Sequence, residues 1–153
     1  FSVFPYQIGL FFIPAVLFFA DREALRKVDY PLLLTFMAFF VFSGNMSRIE
    51  PVSRFLSAAL GKDPLIVSIL SCQVISNVPS AILLSEFTEN YRALLYGVNI
   101  GGTGTIIASL ASLITFRQYC AAEPGGAKKY LLHFSAFNFA FLIIMTVICY
   151  ALL

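Results

Sequence analysis

An all-α membrane protein is the fold class this sequence predicts, with about four transmembrane helices, one re-entrant helical hairpin and one discontinuous helix. Three observations point there. Hydrophobic residues make up 59% of the chain and charged residues 12%, against roughly 25% charge in a soluble domain, which is too little to coat a water-facing surface. The apolar residues fall in long blocks, Phe4 to Ala20, Pro31 to Val41 and Leu131 to Leu153, and about 20 mostly apolar residues carry a helix across a hydrocarbon core. Two further apolar stretches are interrupted by polar turns, the mark of helices broken at membrane depth.

The first span is read over 4–20 and ends where Asp21, Arg22 and Glu23 open an aqueous loop. A second span over 31–46 begins at Pro31, whose missing N–H costs nothing in a first helical turn, and ends near Ser43-Gly44-Asn45. Residues 48–62 place Ile49, Val52, Phe55, Leu56 and Leu60 at helical spacing among charges. That pattern suits an amphipathic interfacial segment, and an ordinary connecting helix satisfies it equally.

From Pro64 to Ile75 the chain is apolar for a length of only about 18 Å, short of the roughly 30 Å core. Ser76-Asn77-Val78-Pro79 then breaks it, since Pro79 disfavours helical geometry at Val78, and a second short stretch from Ser80 to Leu84 follows. Residues 64–87 therefore read as a re-entrant hairpin. The next span, 93–118, meets Gly101-Gly102-Thr103-Gly104-Thr105 after about two turns and resumes as Ile106 to Phe116. A loop turning at Pro124-Gly125-Gly126 leads to the last span, 130–153.

The formal charge of +2 and the scattering of basic residues between apolar blocks argue against nucleic acid as a partner. Lys and Arg divide six against four between the two faces of this layout, with Arg22, Arg26, Lys27, Arg117, Lys128 and Lys129 on the side expected to be cytoplasmic. The hairpin then enters from outside. Cys72, Cys120 and Cys149 are widely spaced and read as small packing residues. His133 has no second ligand at metal spacing, and Glu86 and Glu89 flank the hairpin exit as solvated groups. No Ser-His-Asp set or HExxH arrangement is present, so the chain is not read as an enzyme, and the glycine-rich run lacks the lysine of a phosphate-binding loop.

A polar, non-helical turn survives at membrane depth only where protein or a cavity covers it. Two such turns point to a site, because half-helix N-termini attract anions and unwound carbonyls coordinate cations. The candidate residues are Ser76, Asn77, Pro79, Ser80, Asn99, Gly101, Gly102, Thr103 and Thr105. The competing reading makes the same Ser, Asn and Thr side chains helix caps and interhelical glue, and the glycines a close-packing device.

Gln73-Val74-Ile75-Ser76-Asn77-Val78-Pro79-Ser80, with Ala24 to Tyr30 before it and Val98-Asn99-Ile100-Gly101-Gly102 through Ala111 after it, resembles the C-terminal half of the ion transporter superfamily. That superfamily includes divalent-anion/sodium symporters and arsenite permeases, with citrate-transporter-like domains. The resemblance covers essentially the whole chain. It implies two inverted repeats, each with a hairpin and a discontinuous helix, and hairpin tips whose Ser-Asn-Thr motif binds sodium and a substrate carboxylate. Ser76 and Asn77 hold the first two motif positions, while Val78 and Pro79 depart toward the Asn-x-Pro form of the arsenite permeases.

By this resemblance the chain is expected to be a multi-pass inner-membrane permease, a symporter or antiporter for a small oxyanion or carboxylate. The coupling ion would be sodium or a proton, a sodium ion being held through Ser76, Asn77 and Gly102, with no other cofactor. The other expected partners are the bilayer, the N-terminal half of the same protein, of which this chain is read as a fragment, and a second copy in a homodimer. The alternative is a non-transporting membrane scaffold or assembly subunit.

Overall fold

The computed structural model describes residues 6–152, and no strand occurs among them. Phe4 and Pro5 of the first expected span, and Leu153 of the last, lie outside the described residues. The described residues divide after Thr35 into two units.

In the first unit, α1 (Tyr6–Ala20) is apolar after Gln7 and ends where the chain becomes charged at Asp21. Arg22 opens α2 (Arg22–Arg26) and folds back, its Nε donating to the Phe18 carbonyl at 3.3 Å and its guanidinium lying 4.2 Å from the centre of the Phe18 ring. Asp29 then caps α3 (Tyr30–Met46) by accepting the Leu32 N–H at 3.0 Å.

Span lengths differ from the expected set of four. At 1.5 Å per residue, the 15 residues of α1 reach about 22 Å and the 17 of α3 about 26 Å. Among the described residues α9 (Ala127–Leu152) alone is long and apolar enough to cross by itself. The chain bends by 95° between α3 and α4 (Glu50–Lys62), where Pro51 occupies the first turn of the new helix. One face of α4 is charged, carrying the exposed Glu50–Arg54 pair. The other brings Leu56 and Leu60 onto the core.

The core of the second unit is built around α5 (Pro64–Ile75). Cys72 joins Leu60, Leu84, Leu94 and Val98 in one buried cluster, while Leu65 and Ile69 join Ile100 and Cys149 in another. The same 12-residue helix thus meets α6 (Asn77–Leu84), α7 (Tyr91–Gly101) and α9. Asp63 caps α5 through the Ile66 N–H at 3.0 Å and also receives the Tyr150 hydroxyl of α9.

Contact between α5 and α7 is close because α7 turns Gly97 and Gly101 toward it. A Cβ on Gly97 would lie 2.6 Å from the Ser68 Cβ and 2.8 Å from the Leu65 carbonyl oxygen, and one on Gly101 would lie 2.9 Å from the Ile69 Cα. This is the small-xxx-small packing of membrane helices.

Both interruptions are placed differently from the expectation. Ser76 alone separates α5 from α6, and Asn77, Val78 and Pro79 already belong to the α6 first turn, where a proline needs no hydrogen-bond partner. In the second, α7 stays helical through Gly101, because that glycine is packed on α5, and the chain unwinds after it. A 3₁₀ turn covers Ile106–Ala108, so regular helix returns only at α8 (Leu110–Ala122), capped by the Ser109 hydroxyl accepting the Ala111 N–H at 3.2 Å.

Candidate substrate site at two helix breaks

The two breaks lie against each other. At the hairpin tip Ser76 takes φ 73° and ψ 159°, a combination that glycine adopts readily and other residues rarely. Its hydroxyl donates to the Ala108 carbonyl at 3.3 Å, reaching from the tip to the 3₁₀ turn. The neighbouring Asn77 amide faces Gly102: a Cβ built there would sit 3.0 Å from Asn77 Nδ2 and 3.4 Å from the Asn99 carbonyl oxygen. Glycine at 102 therefore keeps open the space between the two breaks.

Donors collect at this tip. The backbone N–H groups of Asn77 and Val78 head α6 and make no hydrogen bond among the described residues, and neither does Asn77 Nδ2. Three donors and the positive end of a helix dipole are an arrangement suited to an anion. Oxygens are present too, with Ser76 Oγ 3.5 Å from Asn77 Oδ1. Hydroxyl, amide and carbonyl oxygens are the donor set a hard monovalent cation takes at unwound helices.

Other candidate side chains are occupied within the fold. Ser80 is fully buried and hydrogen-bonded to Ser71 at 2.9 Å, and Pro79 is buried beside it. Asn99 donates to its own helix at the Leu95 carbonyl, 2.7 Å away. The Thr103 hydroxyl donates to the Ile100 carbonyl at 2.6 Å and that of Thr105 to the Gln73 carbonyl at 3.3 Å. Gly101 is enclosed in the α5–α7 contact. Ser76, Asn77 and Gly102 are what the structure brings together.

Gln73 also takes part, a residue whose role the sequence pattern does not show. The Gln73 amide nitrogen donates to the Gly101 carbonyl at 2.8 Å and the Thr103 carbonyl at 3.0 Å, while its oxygen accepts the Thr105 N–H at 2.8 Å. The signal that could have found it is the long amide side chain in a helix of otherwise apolar or small residues, one turn before a break.

Large apolar side chains stay exposed along the helices, Phe137 at 75% and Leu152 at 72% among them, as lipid contact requires and water does not tolerate in such number. Fold and site together define a helical membrane protein built around paired helix breaks. The chain is similar to an uncharacterized transporter of Methanocaldococcus jannaschii, 41% identical over 115 residues, which are 75% of this chain and 32% of that protein. It is also similar to the inner membrane protein YbiR of Escherichia coli K12, 35% identical over 113 residues, 72% of this chain and 30% of that protein. The chain thus spans about a third of the length of the curated relatives it matches. No protein-family model matches it, and no solved structure matches at a significant level. With those relatives and a helix able to span the bilayer, the chain is an inner-membrane protein.

Proposed function

We propose that this chain is the C-terminal repeat of a multi-pass secondary transporter of the ion transporter superfamily, and that a small oxyanion or carboxylate binds between its two helix breaks. One observation carries the reading: the Asn77 side-chain amide, at the head of a helix whose first N–H groups are unpaired, faces Gly102 at the end of α7. The hairpin α5–α6 is then re-entrant, since 12 and 8 residues are each too short to cross. In that position Asn77 Nδ2 and the Asn77 and Val78 N–H groups bind the anion. Ser76 Oγ, Asn77 Oδ1 and the Gly102 carbonyl hold sodium beside it, where its charge offsets that of the cargo. Alternating access carries the tip from one side of the bilayer to the other.

A second reading, a scaffold subunit in which the breaks only pack helices, is favoured by the internal bonds of Ser80, Asn99, Thr103 and Thr105. Reconstituting the full-length protein in proteoliposomes separates the two. Phosphate, arsenite, sulfate and succinate are offered with imposed sodium or proton gradients. Gradient-driven movement of one of these, abolished by Asn77→Ala in a protein that remains folded, is the expected result. Unchanged transport per folded molecule in Asn77→Ala removes the site from the breaks, and no transport of any of the four favours the scaffold.

A further inference from the structure

Gln73 spans the gap between the hairpin and the broken helix with every polar atom of its side chain. Its Nε2 meets the carbonyls of Gly101 and Thr103 as well as that of Ile69, the last at 3.2 Å within its own helix, and its Oε1 takes the Thr105 N–H. The Gln73 backbone carbonyl adds a fourth tie across the gap, to the Thr105 hydroxyl. Gly104 lies inside this loop of bonds at φ 104°, and a Cβ there would collide with Gln73 Oε1. The unwound segment is thus wrapped around one side chain.

We propose that Gln73 is the positioning residue of the site: it fixes the segment after α7 against the hairpin tip, and through it the separation of Asn77 and Gly102. This rests on the reading that the anion binds between the breaks. Two consequences follow from the bonding. An unwound helix end offers carbonyl oxygens, which repel an anion, and Gln73 covers two of them with N–H groups. The bonds also tie the end of α7 to α5, so hairpin and broken helix move as one body.

Gln73→Leu keeps much of the bulk and removes every side-chain hydrogen bond, whereas Gln73→Glu places an oxygen where the carbonyls need a donor unless it is protonated. The full-length protein carries either change, beside Asn77→Ala and the wild type. Hydrogen exchange in residues 101–109 needs no substrate and reads the tether directly. Expected for Gln73→Leu is at least tenfold faster exchange there, with residues 64–75 unchanged. Uptake of whichever of phosphate, arsenite, sulfate or succinate the wild type carries should show KM at least tenfold higher at similar protein stability. Gln73→Glu should regain part of the wild-type KM as pH falls and the carboxyl protonates.

A residue that only supports folding would lower the active fraction and leave KM where it was. Unchanged exchange in residues 101–109, or an unchanged KM in Gln73→Leu, overturns the proposal. If Asn77→Ala transports normally while Gln73→Leu loosens residues 101–109, the tether stands and the location of the site is what has failed.

Discussion

Replacing Gly97 with Ala adds one methyl group at the closest approach of α5 and α7. Its carbon would stand 2.6 Å from the Ser68 Cβ and 2.8 Å from the Leu65 carbonyl oxygen, about 0.9 Å inside the roughly 3.5 Å of comfortable carbon contact. The Leu65 oxygen belongs to a helix backbone and cannot swing aside, so α7 must retreat. Overpacking of this kind costs about 1–3 kcal/mol, and the better helix propensity of Ala returns about 1 kcal/mol, leaving a net loss of up to about 2 kcal/mol. Gly61→Ala is the matched control, because nothing lies within 4 Å of a Cβ there, and it should be neutral or stabilise by up to about 1 kcal/mol.

Both variants of the full-length protein would be unfolded in mixed micelles and compared with the wild type, with initial uptake rates measured in proteoliposomes. Gly97→Ala should fall about 2 kcal/mol below Gly61→Ala. Transport should fall with it by more than the folded fraction explains, since the retreat of α7 carries Gly102 away from Asn77. Misplacement near 1 Å at positioned groups costs as much as about a hundredfold in rate. Equal stability of the two variants would refute the close contact, and a rate loss matching only the folded fraction would refute its link to the site.

Two further outcomes are expected. Ser80→Ala leaves the Ser71 hydroxyl without the partner it has at 2.9 Å and should cost about 1 kcal/mol of stability with KM unchanged; a raised KM would make Ser80 a ligand instead of a staple. A cysteine introduced by Asp63→Cys, in a background where the partly exposed Cys120 is replaced by Ser, should react with an impermeant thiol reagent in intact cells. Labelling only after permeabilisation would turn the hairpin base to the cytoplasm.

That the apolar runs are interrupted near Ser76 and after Ile100 was legible in the residues themselves. Pro79 and the glycines after Ile100 act locally, through a fixed φ, a missing donor and the absence of a Cβ, so they show their effect in any context. The extent of each break was not legible. Asn77 to Pro79 wind as helix because a first turn needs no internal donors. Gly101 stays helical because Ile69 and Cys72 press on it from a helix about 30 residues earlier. Distance in sequence also hid the side-chain pairings. Ser80, Thr103 and Thr105 carry the same hydroxyl that a ligand would use, and only the fold shows it turned to Ser71, Ile100 and Gln73.

Ser76 carries two opposed demands. Its backbone, at φ 73° and ψ 159°, costs about 1–3 kcal/mol in any residue but glycine. A glycine would relieve that cost and lose the hydroxyl that reaches Ala108. Nor can the corner anneal into one long rod, since in a continuous helix the Pro79 ring would strike the carbonyl of Ile75. The hairpin is therefore a preformed wedge, its sharp end under tension and unable to unbend. Any cycle of motion must displace it whole, and the compliance has to come from the segments that flank it.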